Sequence, residues 1–526
     1  MDVARASKLA VQNVFKEGLT DIFPRPFEVD LLKNECFAAD VQKAVETRLK
    51  SGTLAGLKVH PIQHVLYPKK DPFDFRRAAL IEPFDTITYL ALVLTITDDL
   101  EMCRPQASKK RVFSYRFKPR GGLLFNPEYN FTTFGRHVSE RTKRPKTNVL
   151  VKCDIASFYD RLNLHRLEST LLGFALDESK IKLINELLIF WANRDSYGLP
   201  IGGNASRILA EAALISVDDF LLSHKIDFCR FVDDYRFFAP DIKSAHMWLT
   251  LFVERLFLEG LSINPAKTSI EDVVGRRVDA SIAPTYKQQS PKRDFVSPRL
   301  IVGYAGIVPT KFRELSDREA EELKGEDITA ALKRLKEKVV AVPSEIRRFL
   351  RILVAQEAYI GLKELPEILE RFPQFTPMAV DLLVKKSSDV PEHVRECLVE
   401  YFSEKLDLTG GMPEYILVAI VRLLGAEGYT RKETLLDLFR NLKRNAGSYI
   451  GRCIIDAIHK LAVRNDALEV RQYFNRADAW ERRAIIRLAN NVLPEKEKQP
   501  WLRNVKIHSA DDPFAIEAFE PKKKKI

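Results

Sequence analysis

The 526-residue chain has little of what marks disulfide-rich, zinc-bound or membrane-spanning proteins. Its six cysteines are scattered, without a CxxC pair or a cysteine–histidine cluster. A disulfide framework or zinc site is therefore not expected, and a reducing, cytoplasmic setting is. The N-terminal stretch MDVARASKLAVQNVFKEGL lacks the apolar core of a signal peptide. The longest apolar runs, such as residues 89–96, fall far short of the ~20 residues of a membrane helix, so no membrane partner is expected.

The net charge and the length of the chain indicate the kind of partner and the number of domains. Lys and Arg number 83 against 72 Asp and Glu, which gives a formal net charge of +11. This excess favours a polyanionic partner such as nucleic acid without requiring one, because many proteins of this size reach a similar charge. A chain of this length with 46% hydrophobic residues is expected to form two or more domains.

The character of the sequence changes near residue 300. The first part mixes helical periods with strand-like runs, namely VLVKCDI, FCRFV, YRFFA and RLIVGY. From about residue 309 to residue 503 nearly every segment has helical spacing, with breaks at Pro, Gly and Asp or Asn. We predict an α+β region followed by an all-α region of stacked, HEAT-like helix pairs, with an irregular helical bundle as the alternative. The tail EPKKKKI is predicted to be a solvated end, or a weak contact for phosphate.

Two adjacent aspartates interrupt the strand-like stretch RFVDDYRFF. Asp233 and Asp234 lie between two runs of apolar and aromatic residues, which outlines a tight β-hairpin with both carboxylates at its tip. Two like charges are a poor choice for an ordinary turn. A divalent cation would remove the repulsion, since Mg²⁺ prefers hard oxygen ligands.

A third carboxylate precedes them. Asp154 stands near the end of the strand-like run VLVKCDI, where it could bind a metal ion or simply cap a turn. Together with the hairpin it would complete a site for two metal ions, which in such sites lie ~3.5–4 Å apart and clamp the attacking and leaving oxygens at phosphorus. The residues therefore predict phosphoryl-transfer chemistry with Mg²⁺, or with Mn²⁺ in its place.

The order of these motifs resembles that of reverse transcriptases. DIASFYD, GLPIGGNASRILAEAAL, FVDDYRFF and LEGLSINPAKTSI stand where that family has motifs A, B, C and D of its palm. The resemblance covers about residues 60–275 and implies a right-hand polymerase fold of fingers and palm. Together with the change of character near residue 300, it gives the boundaries 1–60 for an N-terminal helical segment, 61–300 for fingers and palm, 301–510 for the helical repeats and 511–526 for a basic tail.

The resemblance also implies roles for single residues. Asp154 and Asp233 would be metal ligands and Asp234 the third acid, all three catalytic. Lys267 matches the motif D lysine that protonates pyrophosphate, although an exposed lysine after a turn would look the same. Tyr159 stands at the position of a steric gate against ribose, which implies deoxynucleotide substrates, although it could equally be a core aromatic residue.

Other positions would contact the nucleotide. The matching residues are Ile155 in motif A, and Gly198, Pro200 and Gly202 in the motif B loop. Arg76, Arg77 and Arg116 in the fingers-like part are candidates to bind the triphosphate. The run GRHVSERTKRPK is a candidate loop for nucleic-acid backbone, or a solvated loop.

The chain departs from the family at Ile201, where a glutamine is common, which puts ordinary templated copying in doubt. A palm followed by helical pairs resembles the bacterial abortive-infection (Abi) class of defence-associated reverse transcriptases. That resemblance implies template-independent DNA synthesis, primed by a protein hydroxyl and leaving DNA covalently attached to the protein, in a homo-oligomer that defends against phage. The candidate priming tyrosines are Tyr67, Tyr115, Tyr401, Tyr415, Tyr429, Tyr449 and Tyr473.

Two alternatives stay open at this stage. One is a templated RNA-directed DNA polymerase of retron type. The other is a non-catalytic helical-repeat scaffold that binds nucleic acid.

Overall fold

The protein forms two compact units, as seen in a computed structural model. The structure describes residues 1–69, 74–174, 176–192, 195–274, 310–338, 341, 343–407, 412–442, 449–509 and 511–515. The first unit comprises the described residues up to 274 except 63–80; the second comprises 63–80 and the described residues from 310 onward. The predicted strand RLIVGY and the tail EPKKKKI lie outside the described residues.

The first unit is an α+β structure, as predicted. Its helices are α1 (Val3–Glu17), α2 (Phe27–Leu31), α3 (Glu35–Lys50), α4 (Leu54–Leu57), α5 (Pro83–Cys103), α6 (Phe131–Thr142), α7 (Phe158–Arg161), α8 (Leu164–Gly173), α9 (Glu178–Trp191), α10 (Asn204–Ala213), α11 (Ile215–Ser223) and α12 (Ile242–Leu258). With β1 (Gln63–Pro68) and β2 (Phe75–Leu80) assigned to the second unit, its strands are β3 (Phe117–Arg120), β4 (Leu123–Phe125), β5 (Val149–Asp154), β6 (Phe228–Phe231), β7 (Asp234–Ala239) and β8 (Ser269–Asp272).

A four-stranded antiparallel sheet in the order β6-β7-β5-β8 is the platform of this unit. Strands β5, β6 and β7 are those that the runs VLVKCDI, FCRFV and YRFFA predict. Most of their residues are buried, which explains why they read as continuous apolar runs and not as an alternation.

Helix α5 is the central helix of the first unit. Pro83 occupies its first turn, and the Glu82 side chain caps it by accepting a hydrogen bond from the Asp85 amide. Residues 83–97 of this helix are all buried, and the helix contacts α1, α3, α9 and α10. A mostly apolar helix that is buried on every side is expected in the core of a large domain.

The second unit combines one hairpin with a run of helices. Its helices are α13 (Asp317–Leu323), α14 (Ile328–Lys336), α15 (Pro343–Ala355), α16 (Leu365–Arg371), α17 (Thr376–Lys385), α18 (Glu392–Asp407), α19 (Glu414–Leu424), α20 (Lys432–Leu442), α21 (Tyr449–Ile458), α22 (Arg464–Gln472), α23 (Ala479–Val492) and α24 (Glu495–His508). The antiparallel hairpin β1–β2 packs on α19, where the rings of Tyr67 and Tyr415 lie 5.5 Å apart.

Alternate helices of the second unit pack against each other. Helix α17 contacts α19, α19 contacts α21, and α21 contacts α23, while α18 contacts α20. A succession of this kind buries a continuous core between stacked helix pairs. Among the described helices of both units, none is both long and apolar enough to cross a membrane.

Three predictions about local structure were wrong. Most of the run GRHVSERTKRPK is helical and not a loop, because α6 runs through Thr142 with a capping box between Asn130 and Thr133; only residues 143–146 form a loop. The apolar spacing of residues 317–340 predicts a single helix, but the structure has two helices there, because Asp327 caps the second by accepting hydrogen bonds from the amides of residues 329 and 330. Helix α24 runs to His508, past residue 503 where the helical spacing was expected to end, although it contains Pro500.

Candidate active site

The sheet brings three carboxylates to one end. Asp154 is the last residue of β5, and it lies directly opposite Asp234, the first residue of β7. Asp233 lies in the turn between β6 and β7, and its carbonyl oxygen accepts a hydrogen bond from the Ile155 amide at 3.1 Å. The backbone pairing of β5 with β7 therefore fixes all three acids as neighbours.

The turn of the β6–β7 hairpin lies one residue earlier in the chain than the sequence predicts. The turn residues are Val232 and Asp233, while Asp234 already pairs within the sheet. Pairing with Asp154 on β5 extends β7 by one residue toward the tip. Only Asp233 of the two adjacent aspartates is thus in the turn.

Asp154 and Asp234 each have a cationic side chain as a partner. Asp154 is buried, and Lys267 Nζ lies 2.9 Å from its Oδ2. Burial raises the pKa of Asp234, as does the charge of Asp154, while Arg236 opposes the rise. The Arg236 guanidinium donates to both oxygens of Asp234, at 2.5 and 3.0 Å. Two cations therefore compensate the charge of the acids.

The three acids have the donor chemistry that a divalent metal ion prefers. Three carboxylates offer hard oxygen ligands of the kind that Mg²⁺ and Mn²⁺ accept. The Lys267 ammonium already places a positive charge on Asp154, which indicates that a cation is favoured there. Roles in metal binding and catalysis remain predictions for Asp154, Asp233, Asp234 and Lys267.

The motif B loop lies against the segment that follows β5. The amide of Gly198 donates to the Leu162 carbonyl oxygen, and the amide of Leu199 to that of Tyr159, both at 2.9 Å. Gly198 has φ +95° and Gly202 has φ +129°, which only glycine adopts readily. A side chain at position 202 would also meet Thr20, whose Oγ1 lies 2.5 Å from where a Cβ would stand. Both glycines are thus required by geometry.

Tyr159 lies near the acids. Burial raises its pKa well above the ordinary value, and the charge of Asp233 adds to the rise. Its ring contacts that of Phe158 at a centroid distance of 5.6 Å. Ile155 is fully buried beneath the same end of the sheet. The role of Tyr159 as a steric gate remains a prediction.

The three candidate arginines fall into two groups, one in each unit. Arg116 is 3% exposed; it forms an ion pair with Glu101 at 2.9 Å and also donates to the Pro105 carbonyl oxygen. Arg76 and Arg77 are consecutive residues of β2 in the second unit. Since neighbouring residues of a strand point to opposite faces, they cannot both face one ligand on one side of the hairpin.

Sequence reasoning missed the residues that support the acids. Arg236 holds Asp234, while Ser114, Glu211 and Arg230 hold the backbone of the turn. One signal was available, because an arginine within a buried apolar strand, such as Arg230, needs a buried partner. The identity of that partner could not be read from the sequence.

Comparison with known proteins identifies part of the chain. Residues 91–294 match the sequence model of the family described as reverse transcriptase (RNA-dependent DNA polymerase). This range contains the three acids, the motif B loop and Lys267. A search of the curated proteins returned no match.

Three solved telomerase structures are similar to the chain at 12% identity. Telomerase from Candida albicans in complex with a TWJ fragment of telomeric RNA gives a TM-score of 0.30 over 84% of this chain and 70% of that chain. Apo telomerase from Candida tropicalis gives 0.30 over 68% and 67%, and its complex with a TWJ fragment gives 0.29 over 70% and 67%. Similarity at this level carries no conclusion about function.

The family match and the converging acids agree on the same part of the chain. The acids occupy neighbouring positions of one sheet, and the matched range spans the whole of that sheet. Residues 91–294 therefore form a domain of the reverse transcriptase type, and the family that this domain matches is one of RNA-directed DNA polymerases, which are nucleotidyltransferases.

Proposed function

We propose that the chain is a DNA polymerase that extends a protein hydroxyl with deoxynucleotides, without a template, in abortive infection against phage. The observation that carries the polymerase activity is the convergence of Asp154, Asp233 and Asp234 inside the reverse transcriptase domain. The family itself implies nucleotide substrates and nucleic acid. Each finer part of the proposal has its own support.

We assign Asp154 and Asp233 to metal binding and Asp234 to a supporting third place. Polymerases of this family generally use divalent metal ions, which when bound activate the attacking hydroxyl and neutralise the leaving pyrophosphate. Arg236 already engages both oxygens of Asp234, which makes that carboxylate the weakest ligand of the three. Lys267 is largely exposed, so its ammonium can turn from Asp154 to give a proton to pyrophosphate.

We assign the nucleotide pocket to the residues around this end of the sheet. Tyr159 would exclude a ribose 2′-hydroxyl, Ile155 would support the pocket from below, and the backbone at Gly198, Pro200 and Gly202 would approach the substrate.

The three candidate arginines differ in how readily each could bind a phosphate. Arg116 would have to leave its ion pair with Glu101 to reach a phosphate. Of the β2 pair, Arg77 is the better candidate, because its side chain lies on the exposed face with Leu66, while Arg76 shares the face of the buried Tyr67.

Synthesis without a template is supported by Ile201. This side chain is buried and apolar, so it offers neither exposure nor a hydrogen bond to a template base. The neighbouring Gly202 is covered by Thr20 of the chain's own N-terminal segment.

Priming by the protein requires a hydroxyl near Asp233. Tyr115 lies in the first unit, and burial raises its pKa to about 12, with Arg207 opposing and the charge of Asp233 adding to the rise. The other candidate tyrosines all belong to the second unit. Tyr115 is therefore the first acceptor to examine.

The role in phage defence and the homo-oligomer rest on the resemblance to the abortive-infection class. That class combines a reverse-transcriptase palm with a helical C-terminal region. In this chain alternate helices of the second unit pack on one another. This packing is compatible with helical repeats of HEAT type.

The decisive experiment is incorporation of labelled deoxynucleotides by purified protein. The protein is incubated with Mg²⁺, with and without added RNA template, and resolved on a denaturing gel. We expect label to remain with the protein without a template, and peptide mapping then identifies the acceptor residue. Asp233→Asn should abolish labelling, because it removes a charged metal ligand. Asp272→Asn is the matched control, since this exposed acid lies on strand β8 of the same sheet, away from the turn.

Three results would count against the proposal in different ways. Incorporation only with template would favour a templated enzyme of retron type. Absence of incorporation under every condition would favour a nucleic-acid-binding scaffold. Incorporation that survives Asp233→Asn would remove the assigned site.

A further inference from the structure

The turn that carries Asp233 has an unfavourable backbone. Val232 has φ +56°, and its side chain is fully buried. A β-branched residue rarely adopts this left-handed conformation, because its side chain crowds the backbone. Such strain persists only where the surroundings hold it. The question is which residues hold Val232.

Both backbone polar groups of Val232 are held by side chains. Its amide donates to Ser114 Oγ at 2.9 Å, and its carbonyl oxygen accepts from Arg230 NH1 at 3.2 Å. Ser114 and Arg230 are both fully buried, so water cannot replace either partner. The backbone on each side of the Val232 side chain is therefore fixed from within the core.

A single carboxylate ties these two partners together. Glu211 accepts a hydrogen bond from the Ser114 hydroxyl through Oε1. Its Oε2 accepts from Arg230 NH1 at 2.8 Å and from Arg104 NH2 at 2.6 Å. Because the Ser114 proton goes to Glu211, the hydroxyl oxygen presents a lone pair to the Val232 amide. Glu211 thus sets the orientation of both groups that hold the turn.

The charges of this cluster balance. Arg230 also donates to both oxygens of Asp218, and all four ionic side chains, Arg104, Arg230, Glu211 and Asp218, are at most 7% exposed. Two cations meet two anions, which avoids an uncompensated buried charge. A cluster with these properties is rigid, since moving one member leaves another unsatisfied.

We propose that Ser114, Glu211 and Arg230 are positioning residues that hold the Val232 turn and thereby set Asp233 against Asp154. None of them contacts a substrate; they act through the backbone of the turn. The role rests on the proposed function only in that Asp233 is assigned as a metal ligand. It deepens that proposal by naming residues up to 119 positions away in the chain that the metal site requires (233 − 114 = 119).

The test uses the full chain and two readouts. The first is the rise in melting temperature on adding Mg²⁺ or Mn²⁺, which reports metal binding without any turnover. The second is the Mg²⁺ concentration for half-maximal incorporation of deoxynucleotide. Ser114→Ala should raise that concentration about tenfold, the equivalent of one hydrogen bond to the turn, and shrink the metal-induced rise. Ser7→Ala is the matched control, because Ser7 is a buried serine on α1 outside this cluster.

A double variant separates positioning from general packing. Glycine adopts φ +56° without strain, so Ser114→Ala combined with Val232→Gly should regain most of the metal-induced rise. Recovery in the double variant supports the proposal. Equal behaviour of Ser114→Ala and Ser7→Ala, or a loss that Val232→Gly does not reverse, overturns it. If the wild-type chain shows the metal-induced rise but incorporates no nucleotide, the proposed function fails while the positioning role is still decided by the first readout.

Discussion

The ion pair between Arg230 and Asp218 allows a sharp prediction about stability. Both side chains are fully buried, and Arg230 binds Asp218 through Nε and NH2 at 2.7–3.0 Å. We consider Asp218→Asn, which keeps the size of the side chain but removes its charge. The Arg230 guanidinium then stays buried, and Glu211 is left as its anionic partner.

The expected cost follows from the burial. Breaking a buried ion pair by removing one partner costs about 3–5 kcal/mol, because the remaining charge is neither hydrated nor paired. Asparagine can still accept one hydrogen bond, and Glu211 remains, so we expect the lower end, about 3 kcal/mol. At 1.36 kcal/mol per tenfold change, this is roughly a hundredfold change in an opening equilibrium.

Hydrogen exchange followed by mass spectrometry reads this change locally. It suits a chain of two units, for which a single unfolding transition cannot be assumed. Peptides covering β6 and β7 should exchange roughly a hundredfold faster in Asp218→Asn than in the wild type. Asp219→Asn is the matched control, since Asp219 is adjacent and exposed, and it should change stability by less than about 0.5 kcal/mol. Equal exchange in the two variants would refute the claim that the buried pair stabilises the hairpin.

Two further predictions concern Lys267 and His137. Lys267→Met removes the cation that competes with a metal ion for Asp154. The Mg²⁺ concentration for half-maximal thermal stabilisation should therefore fall by up to about fivefold, while incorporation of deoxynucleotide slows. An unchanged Mg²⁺ concentration would contradict the competition. Burial lowers the pKa of His137 to about 4, and the charges of Arg141 and Lys110 add to this effect. As the pH falls below about 6.5, the unfolded chain binds a proton at His137 that the folded chain does not, and the folded state loses stability. The urea midpoint of the transition that unfolds the first unit should therefore fall between pH 7.5 and pH 5, and His137→Phe should remove part of this fall while the exposed-site control His165→Gln leaves it in place.

The sequence predicts strands and helices well where local chemistry decides them. Strands β5, β6 and β7 follow from apolar runs with β-branched and aromatic residues, and most helices of the second unit from their apolar spacing. The errors occur where a single side chain acts on the backbone. The Asp327 cap divides the expected helix over residues 317–340 into two, and α24 continues to His508 although it contains Pro500.

The candidate site was likewise predicted in part. The order of the four motifs led us to expect Asp154, Asp233 and Asp234 together, and the sheet does make them neighbours. The position of the turn could not be read locally, since valine disfavours the backbone that Val232 adopts. A serine 118 residues away supplies the hydrogen bond that decides it, and no short-range pattern contains that information.

The discontinuous second unit has a kinetic consequence for synthesis of the protein. The hairpin β1–β2 packs on α19, yet Leu424 at the end of that helix is translated 356 residues after Pro68 (424 − 68 = 356). At about 5–20 residues per second, a newly made hairpin waits roughly 20–70 s for its packing partner. Throughout that interval Val65 and Tyr67, which are buried in the finished protein, lie on a two-stranded ribbon that is marginal by itself. The order of translation thus leaves the apolar side chains of the β1–β2 hairpin exposed to non-native contacts, within the chain or with other nascent chains, before α19 has been made.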